Sequence, residues 1–372
     1  MCTRNSLGIL LLAALPALWG QTADPRTSVK IDFPSDSPLT LVSADWGESR
    51  ATARGGAMLL DLHASLVLKN GGAGRVRGVT LVVLAQDVTP GGKASVAVPS
   101  LDVAPGEVFP VRIDLRLLRP LGGGPLVEVG LDGVLFDDLS FYGPDRLRSR
   151  RSMTAWEMEA RRDRRHLKSI LEARGAEGLR EEVLASLARQ ADRPRLDVQV
   201  SRAGRATNLA GEREVRFSFL RFPDSPVEPL EGVALIAGGE ARAPRLEVRN
   251  RSNRAVEYLE IGWVLRDLQG REFLAGSVPA EVRLAPGARG SIAQNTAIKV
   301  SQRQGPAVAL EGVAGFVSQV HFAGGEVWVP GRAALADPRL SRIAGPSPEE
   351  QRLVELYRKK GLAALVEELK KF

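Results

Sequence analysis

The chain has 372 residues, with 51 basic and 44 acidic side chains and a formal net charge of +7. Hydrophobic residues make up 44% and charged residues 26% of the sequence, which excludes a disordered chain. The single cysteine, Cys2, excludes disulfide frameworks and thiol catalysis, and three histidines argue against a multi-histidine metal site. The length predicts two domains.

The N-terminus has the pattern of an export signal. Arg4 precedes an apolar run over residues 7–20, and polar residues follow from Gln21. The run is shorter than the roughly 20 residues that cross a bilayer. We therefore predict a cleaved signal peptide, a periplasmic or secreted protein and no transmembrane span in the mature chain. An uncleaved anchor is the alternative.

The sequence contains an internal repeat with strand periodicity. Residues 66–87 align with residues 246–267 at an offset of 180, and Asn70 meets Asn250. Beyond this block the offset becomes 181, which matches Ala104-Pro105-Gly106 with Ala285-Pro286-Gly287, and Leu139, Phe141 and Gly143 with Val320, Phe322 and Gly324. Apolar residues alternate in both copies between turns rich in glycine and proline. This pattern predicts a duplicated β-sandwich with Trp263 in its core and His321 facing outward.

The repeat continues into helices. Residues 167–183 align with residues 353–369 at an offset of 186, and Gly175 meets Gly361. Each glycine is expected to end one helix in a left-handed conformation before a second helix begins. In the second copy, Ser347 and Pro348 have the residue types of a helix N-terminus. An apolar stripe formed by Leu353, Leu356, Leu365 and Leu369 is too short to be stable alone, so we expect the adjoining sandwich to hold it.

The predicted fold is therefore mostly β with α appendages: two immunoglobulin-like antiparallel β-sandwiches, each followed by a helix–Gly–helix segment. The predicted divisions are a signal peptide over 1–20, a sandwich over 27–145, a basic helical segment over 150–193, a second sandwich over 195–335 and a C-terminal helical segment over 347–372.

The strand blocks also resemble a known class of domain. Asn250, the Asp267-x-x-Gly270 turn and Pro286-Gly287 are similar to bacterial exported immunoglobulin-like or fibronectin type III-like sandwiches, most of all the FxLYD type. The first copy matches at Asn70, Asp87, Pro105 and Gly106, but both copies lack the aromatic-Leu-Tyr-Asp signature. The resemblance implies a β-sandwich in an envelope or extracellular setting and implies no chemistry.

Positive charge is concentrated in one stretch. Residues 146–174 hold ten basic and four acidic side chains. A solvated helix face is the simpler interpretation, and contact with an anionic surface is the functional one. The candidate contact residues are Arg150, Arg151, Arg161, Arg162, Arg164 and Arg165. Nucleic acid is disfavoured because the stretch has a single aromatic residue, Trp156.

No motif for catalysis, a cofactor or a metal stands out. The acidic group of Asp132, Asp137, Asp138 and Asp145 fits no calcium loop. His63 is expected on a strand surface, and Trp46 and Trp328 have no assigned place.

The sequence therefore predicts no catalytic, cofactor-binding or metal-ligating residues. We predict a non-enzymatic binding or scaffolding protein of the bacterial envelope, with a protein or an anionic envelope component as partner. A carbohydrate- or polymer-binding accessory protein is the alternative, and an unrecognised hydrolase is a third. Exposed tryptophans on one face would favour the second, and a cleft with paired carboxylates of shifted pKa would favour the third.

Overall fold

The computed structural model describes residues 29–86, 91–120, 126–191, 196–202, 211–301 and 308–372. The predicted signal peptide, Asp87 and the first turn that follows it lie outside these residues. The described chain is mostly β with helices, as predicted. Two compact units divide it: Met1–Ala73 with Thr80–Ala97 and Val103–Asp132, and Gly74–Val79 with Val98–Asp102 and Gly133–Phe372.

The first half of the described chain forms nine strands and a long helical element. The strands are β1 (Val29–Asp32), β2 (Leu39–Asp45), β3 (Arg50–Arg54), β4 (Ala57–Asn70), β5 (Val76–Leu84), β6 (Lys93–Val98), β7 (Val108–Pro120), β8 (Val127–Phe136) and β9 (Phe141–Tyr142). Strand β4 pairs with β7 on one side and with β2 and β3 on the other. The helical element, α1, spans Ser149–Ala191.

The second half has ten strands and three helices. The strands are β10 (Asp197–Arg202), β11 (Arg213–Phe219), β12 (Val227–Ala237), β13 (Glu240–Asn250), β14 (Val256–Asp267), β15 (Glu272–Leu284), β16 (Arg289–Ala293), β17 (Thr296–Ser301), β18 (Leu310–Phe322) and β19 (Val327–Trp328). The helices are α2 (Arg332–Leu335), α3 (Pro338–Ile343) and α4 (Pro348–Leu369). Strand β13 pairs with β12, β16 and β17, and β14 pairs with β15 and β18.

The buried side chains of β12 and β13 pack into one core with those of β14, β15 and β18. Trp263 lies at its centre, fully buried, with its ring edge against Phe217 at a centroid distance of 5.1 Å. The prediction of a core tryptophan is confirmed. Strand β11 begins antiparallel to β12 and ends parallel to β18, so it joins the two sheets that enclose this core.

The two repeats share a buried asparagine corner. Asn250 is fully buried; its amide donates to the carbonyl oxygens of Arg254 and Leu284 at 2.7 and 3.1 Å, and its Oδ1 accepts the Ser252 N–H at 3.0 Å. Asn70 is equally buried, and it donates to Val103 and accepts from Gly72. Both asparagines satisfy backbone groups that would otherwise be buried without partners, which explains why the two turns need this residue type.

The end of the sequence alignment is wrong. In the β8–β9 hairpin Val134 pairs with Tyr142, and in the β18–β19 hairpin Val320 pairs with Trp328, so the offset here is 186 and not 181. Five residues are therefore inserted before β18. A shift by five residues, an odd number, would also place each matched side chain on the opposite face of the sheet.

Each helix–Gly–helix segment is a hairpin. His166 and Glu182 are sixteen residues apart but approach to 3.7 Å, whereas a straight helix would separate them by about 24 Å. Gly175 has φ 68° and ψ −168°, and Gly361 has φ 81° and ψ −179°. The predicted positive φ is confirmed at both glycines, although ψ is extended. This region of backbone conformation is essentially restricted to glycine. We call α1 the first hairpin and α4 the second hairpin.

The two hairpins pack against each other. Leu167, Leu179 and Val183 of the first hairpin form one buried cluster with Leu353, Val354, Leu365 and Leu369 of the second. The expectation that each adjoining sandwich holds its hairpin is therefore wrong for the apolar stripe. Each hairpin carries the same apolar stripe, and the two stripes are buried against each other.

This packing predicts a position-specific loss of stability. Leu365→Ala removes a fully buried side chain from the shared cluster and should lower the free energy of unfolding by about 2–5 kcal/mol. Leu184→Ala, at a position 44% exposed on the first hairpin, is the matched control and should change it by less than about 0.5 kcal/mol. Urea unfolding of both variants measures the difference, and equal losses would contradict the packing.

Candidate functional site

The six arginines of the predicted contact surface do not lie together on the surface. Arg150 and Arg165 are exposed. The guanidinium group of Arg150 has no hydrogen-bond or carboxylate partner among the described residues, whereas Arg165 donates to the Arg161 carbonyl at 3.2 Å. The other four arginines are wholly or partly buried and form internal contacts. Most of the arginines that were predicted to form a basic surface therefore make contacts within the protein.

Arg151 connects the start of the first hairpin to strands β14 and β15. Its guanidinium carbon lies 3.7 Å from the centre of the Tyr258 ring, and its Nη1 is 2.8 Å from Glu281 Oε1. Arg148 pairs with the same carboxylate. These residues line a cleft of about 580 Å³, together with Arg150 and His321. We call it the arginine cleft.

His321 is half-buried, and it lines the arginine cleft. It lies on the sheet face opposite Val320, and its ring contacts Tyr258 edge-on at a centroid distance of 5.2 Å. Burial lowers the pKa of His321 to about 4, and the nearby Arg151 adds to this shift. His321 therefore points away from the core as predicted, and Arg151 at the start of the first hairpin partly covers this sheet face.

A buried charge network borders the apolar contact between the hairpins. Arg164 is 4% exposed and lies 2.6 Å from Glu157 Oε1 and 3.6 Å from Glu349 Oε1. Its guanidinium group also lies over the Phe372 ring at 4.2 Å. Arg352 pairs with Glu349 at 2.8 Å and with Glu368 at 2.6 Å. Removing one member of such a network leaves its partner charged and buried, which is strongly destabilising.

A second part of the network surrounds Asp163. Arg162 donates to both carboxylate oxygens of Asp163, at 2.8 and 3.0 Å, and also to the Pro330 carbonyl. The Ser347 hydroxyl donates to Asp163 at 2.6 Å and accepts the Glu350 N–H at 3.1 Å, so the helix N-cap predicted at Ser347 is confirmed. Asp163 thus fixes the first turn of the second hairpin against the first hairpin.

The hairpins and the short helices α2 and α3 enclose a second cavity, of about 340 Å³. We call it the helical pocket. Arg189 and Glu182 of the first hairpin, Arg332 of α2 and Glu350 of the second hairpin line it. The nearby imidazole of His166, 3.7 Å away, and the hydrogen bond from Arg189 lower the pKa of Glu182 to about 2.

One carboxyl group has a raised pKa. Burial raises the pKa of Glu159 to about 7, and the neighbouring Asp163 and Glu260 add to this effect whereas Arg162 opposes it. Glu159 is not among the residues that line the arginine cleft or the helical pocket. The hydrolase alternative requires a cleft that contains carboxylates of shifted pKa. Glu159 has the shifted pKa but lies in neither cleft.

The remaining candidate residues have structural contacts. Asp138 accepts the Ser140 N–H at 2.8 Å, and Asp145 accepts the Arg150 N–H at 2.9 Å at the start of α1. His63 is on a strand surface, as predicted, and lies 3.1 Å from Asp114. Across the described ranges, no three histidine, cysteine or acidic side chains are placed to hold a metal ion. No helix there is long and apolar enough to span a bilayer.

The tryptophans give little support to a sugar-binding face. Trp328 is half-buried and packs against two apolar clusters of the second unit. Trp46 is half-buried in the first unit. Because Trp328 packs against these clusters, it is not part of an exposed aromatic surface that could bind a sugar.

Sequence reasoning missed several residues of the pocket and the network. Arg332 and Arg352 were not singled out, and Glu350 was noted only as a residue of the helix N-terminus. One signal was present, because Glu182 and Glu368 recur at the hairpin offset of 186 and their partners His166 and Arg352 recur with them. A charged residue that recurs with its partner indicates a pairing inside the repeat.

Comparisons with known proteins do not assign a family. No family model and no curated protein matches the sequence. A β-glucosidase from Kluyveromyces marxianus is 8% identical over 71% of this chain and 45% of its own, with a TM-score of 0.15. A red sea bream transglutaminase is 11% identical over 76% and 31%, with a TM-score of 0.13. The infectious bursal disease virus Gx strain structure is 10% identical over 78% and 74%, with a TM-score of 0.15.

The chain spans less than half the length of the β-glucosidase and of the transglutaminase. TM-scores this low do not indicate a shared fold.

The raised pKa of Glu159 predicts a pH-dependent stability. Folded Glu159 retains its proton up to about pH 7, whereas the unfolded side chain loses it near pH 4.5, so its contribution to stability falls as the pH rises between these values. Glu159→Gln should therefore raise the free energy of unfolding by about 1–3 kcal/mol at pH 8 and leave it unchanged at pH 4.

Urea unfolding at the two pH values tests this effect. Glu172→Gln, at an exposed position of the same helical element, is the control and should have no effect at either pH. A Glu159→Gln variant that is equally stable to the wild type at pH 8 would contradict the burial of the charge.

Proposed function

We propose that the protein is an exported, non-enzymatic binding or scaffolding component of a bacterial envelope. It would consist of a duplicated unit, a β-sandwich followed by a helical hairpin. The export assignment rests on the sequence pattern of residues 1–20.

The pairing of the strands supports an immunoglobulin-like or fibronectin type III-like arrangement in the second copy. In the ten-stranded sheet, β12, β13, β16 and β17 lie on one side of β11, and β19, β18, β14 and β15 lie on the other. In such sandwiches the second strand pairs with the fifth and the third with the sixth, which is the relation of β13 to β16–β17 and of β14 to β18. The recurring asparagine corner supports the same arrangement for the first copy.

The observation that carries the scaffolding proposal is how the charged side chains are used. Asp163, Glu349 and Arg164 are each less than 5% exposed, and they join the two hairpins through the Arg164–Glu349 ion pair and the hydrogen bond from Ser347 to Asp163. Charged groups that are paired and buried in this way fix a geometry and are not accessible to a substrate. The chemistry of this region supports a rigid platform better than an active site.

The surface through which the platform would bind is the start of the first hairpin. Arg150 is exposed there and borders the arginine cleft, and Arg165 is exposed further along the same helix. Guanidinium groups bind carboxylates and phosphates bidentately. We propose an acidic partner surface, either on a protein or on an anionic envelope component.

Binding to an anionic surface tests this proposal. The full chain should bind vesicles that contain phosphatidylglycerol at low salt, and the affinity should fall steeply with salt as the Debye length drops from about 10 Å at 0.1 M to about 3 Å at 1 M. The double variant Arg150→Gln/Arg165→Gln should weaken the binding further, with an unchanged melting temperature.

A matched double variant controls for net charge. Arg180→Gln/Arg358→Gln also removes two positive charges from exposed positions on the hairpins, where the arginines pair with Glu177 and Glu355. It should weaken the binding less. If both double variants weaken the binding equally, the effect is one of net charge only. If the wild type does not bind the vesicles at all, the proposed role of these arginines in binding an anionic membrane is wrong.

A further inference from the structure

The helical pocket differs from a buried structural network because its arginines are not fully used. Arg332 makes one hydrogen bond, to Glu350 Oε2 at 3.2 Å, and its distances to Asp163 and Glu182 are both 3.6 Å, too long for hydrogen bonds. Arg189 makes one hydrogen bond, to Glu182 Oε1 at 3.2 Å. A guanidinium group has five N–H donors. Both arginines are therefore held by carboxylates, while most of their N–H donors have no hydrogen-bond partner among the described residues.

Arg162, which borders the same cavity, shows the contrast. Its Nε, Nη1 and Nη2 all donate, two of them to Asp163 and one to the Pro330 carbonyl. Arg162 is a structural arginine, and Arg189 and Arg332 are not saturated in this way.

The repeat provides an independent comparison. Ser186 and Glu350 line the helical pocket and lie 2.6 Å apart. At the offset of 186, Ser186 corresponds to Phe372 and Glu350 corresponds to Arg164. These two counterparts are also in contact, and the Phe372 ring packs between Arg164 and Arg77, with Arg77 at 5.1 Å. The equivalent place on the other side of the hairpin pair is therefore filled by an aromatic ring, and the place beside Ser186 remains open.

The composition of the pocket restricts what it can accept. Arg162, Arg189 and Arg332 are balanced by Asp163, Glu182 and Glu350, so the pocket has no excess charge that would attract polyanions. The carboxylates accept hydrogen bonds, whereas the hydroxyl groups of Ser186 and Ser341 already donate to Glu350 and to the Pro338 carbonyl. A volume of about 340 Å³ suits a small molecule.

We propose that the helical pocket binds a small organic acid, with its carboxylate or phosphate group bridging the guanidinium groups of Arg189 and Arg332. Hydroxyl groups of the same ligand donate to the carboxylates of Glu182 and Glu350. This site is separate from the exposed arginines of the first hairpin, so it stands independently of binding to an anionic surface.

Titration calorimetry of the full chain at low salt tests the proposal with three probes. Glucuronate presents a carboxylate, glucose 6-phosphate presents a phosphate, and glucose is the neutral control. At least one of the two acids should bind with a Kd of about 1 mM or tighter, and glucose should not bind. The two acids distinguish a carboxylate from a phosphate preference. If neither acid binds, the proposal is overturned.

Two variants place the binding in the pocket. Arg189→Gln removes one guanidinium group, and Ala344→Phe fills the cavity without changing any charge. Each should weaken the binding about tenfold or more. Arg180→Gln, an exposed position outside the pocket, is the control and should bind as the wild type does. Binding that survives both pocket variants would overturn the assignment.

A measurement on the wild type keeps the test valid if a variant fails to fold. The chain has three histidines, and His166 is the one that lines the helical pocket. On addition of the acid that binds, the ring proton signals of His166 should shift in the NMR spectrum, whereas those of His63 should not. A titration in which the His166 signals stay fixed would contradict binding in the pocket.

Discussion

The structure of the second unit depends on the contact between the two helical hairpins. Neither hairpin can be stable alone, because each is short and exposes one apolar stripe. Leu167 and Leu179 of the first hairpin and Leu353 and Leu365 of the second bury these stripes together. The charged network at the border adds little net stability, since the desolvation of buried ions offsets most of their attraction. The apolar contact therefore supplies the stabilisation, and the ion pairs fix the register.

The contact resembles the interface of a symmetric dimer within one chain. In an isologous interface, a contact between residues i and j recurs with the partners exchanged. Arg164 contacts Phe372, and their counterparts Glu350 and Ser186 also contact each other. When a duplicated hairpin packs against its own copy, this exchange of contact partners follows from the duplication itself. Once the two halves belong to one chain they can diverge independently, and the Ser186–Phe372 difference leaves one side open and the other filled.

Local features were predictable from the sequence, whereas partners were not. The glycine of each hairpin and the N-cap at Ser347 are set by backbone geometry, which acts over a few residues. The end of the strand alignment failed because alternation with a period of two fits many registers, and the matches of Leu139, Phe141 and Gly143 fixed the wrong one. The partner of the Leu353 stripe could not be read from the pattern, since an apolar stripe specifies burial and not the surface that buries it.

The same reasoning explains why charge counts misplace a binding surface. Ten basic residues between positions 146 and 174 suggest a cationic face, but the acids that neutralise them come from distant positions such as Glu281 and Glu349. A count along the sequence therefore overestimates the positive potential at the surface. Arg162 and Arg332 both lie near Asp163 but differ in the number of N–H donors left unpaired, which separates a structural arginine from one that is available for binding. The number of unpaired donors is set by the fold, and Arg189 and Arg332 of the helical pocket lie outside the basic stretch that the charge count selected.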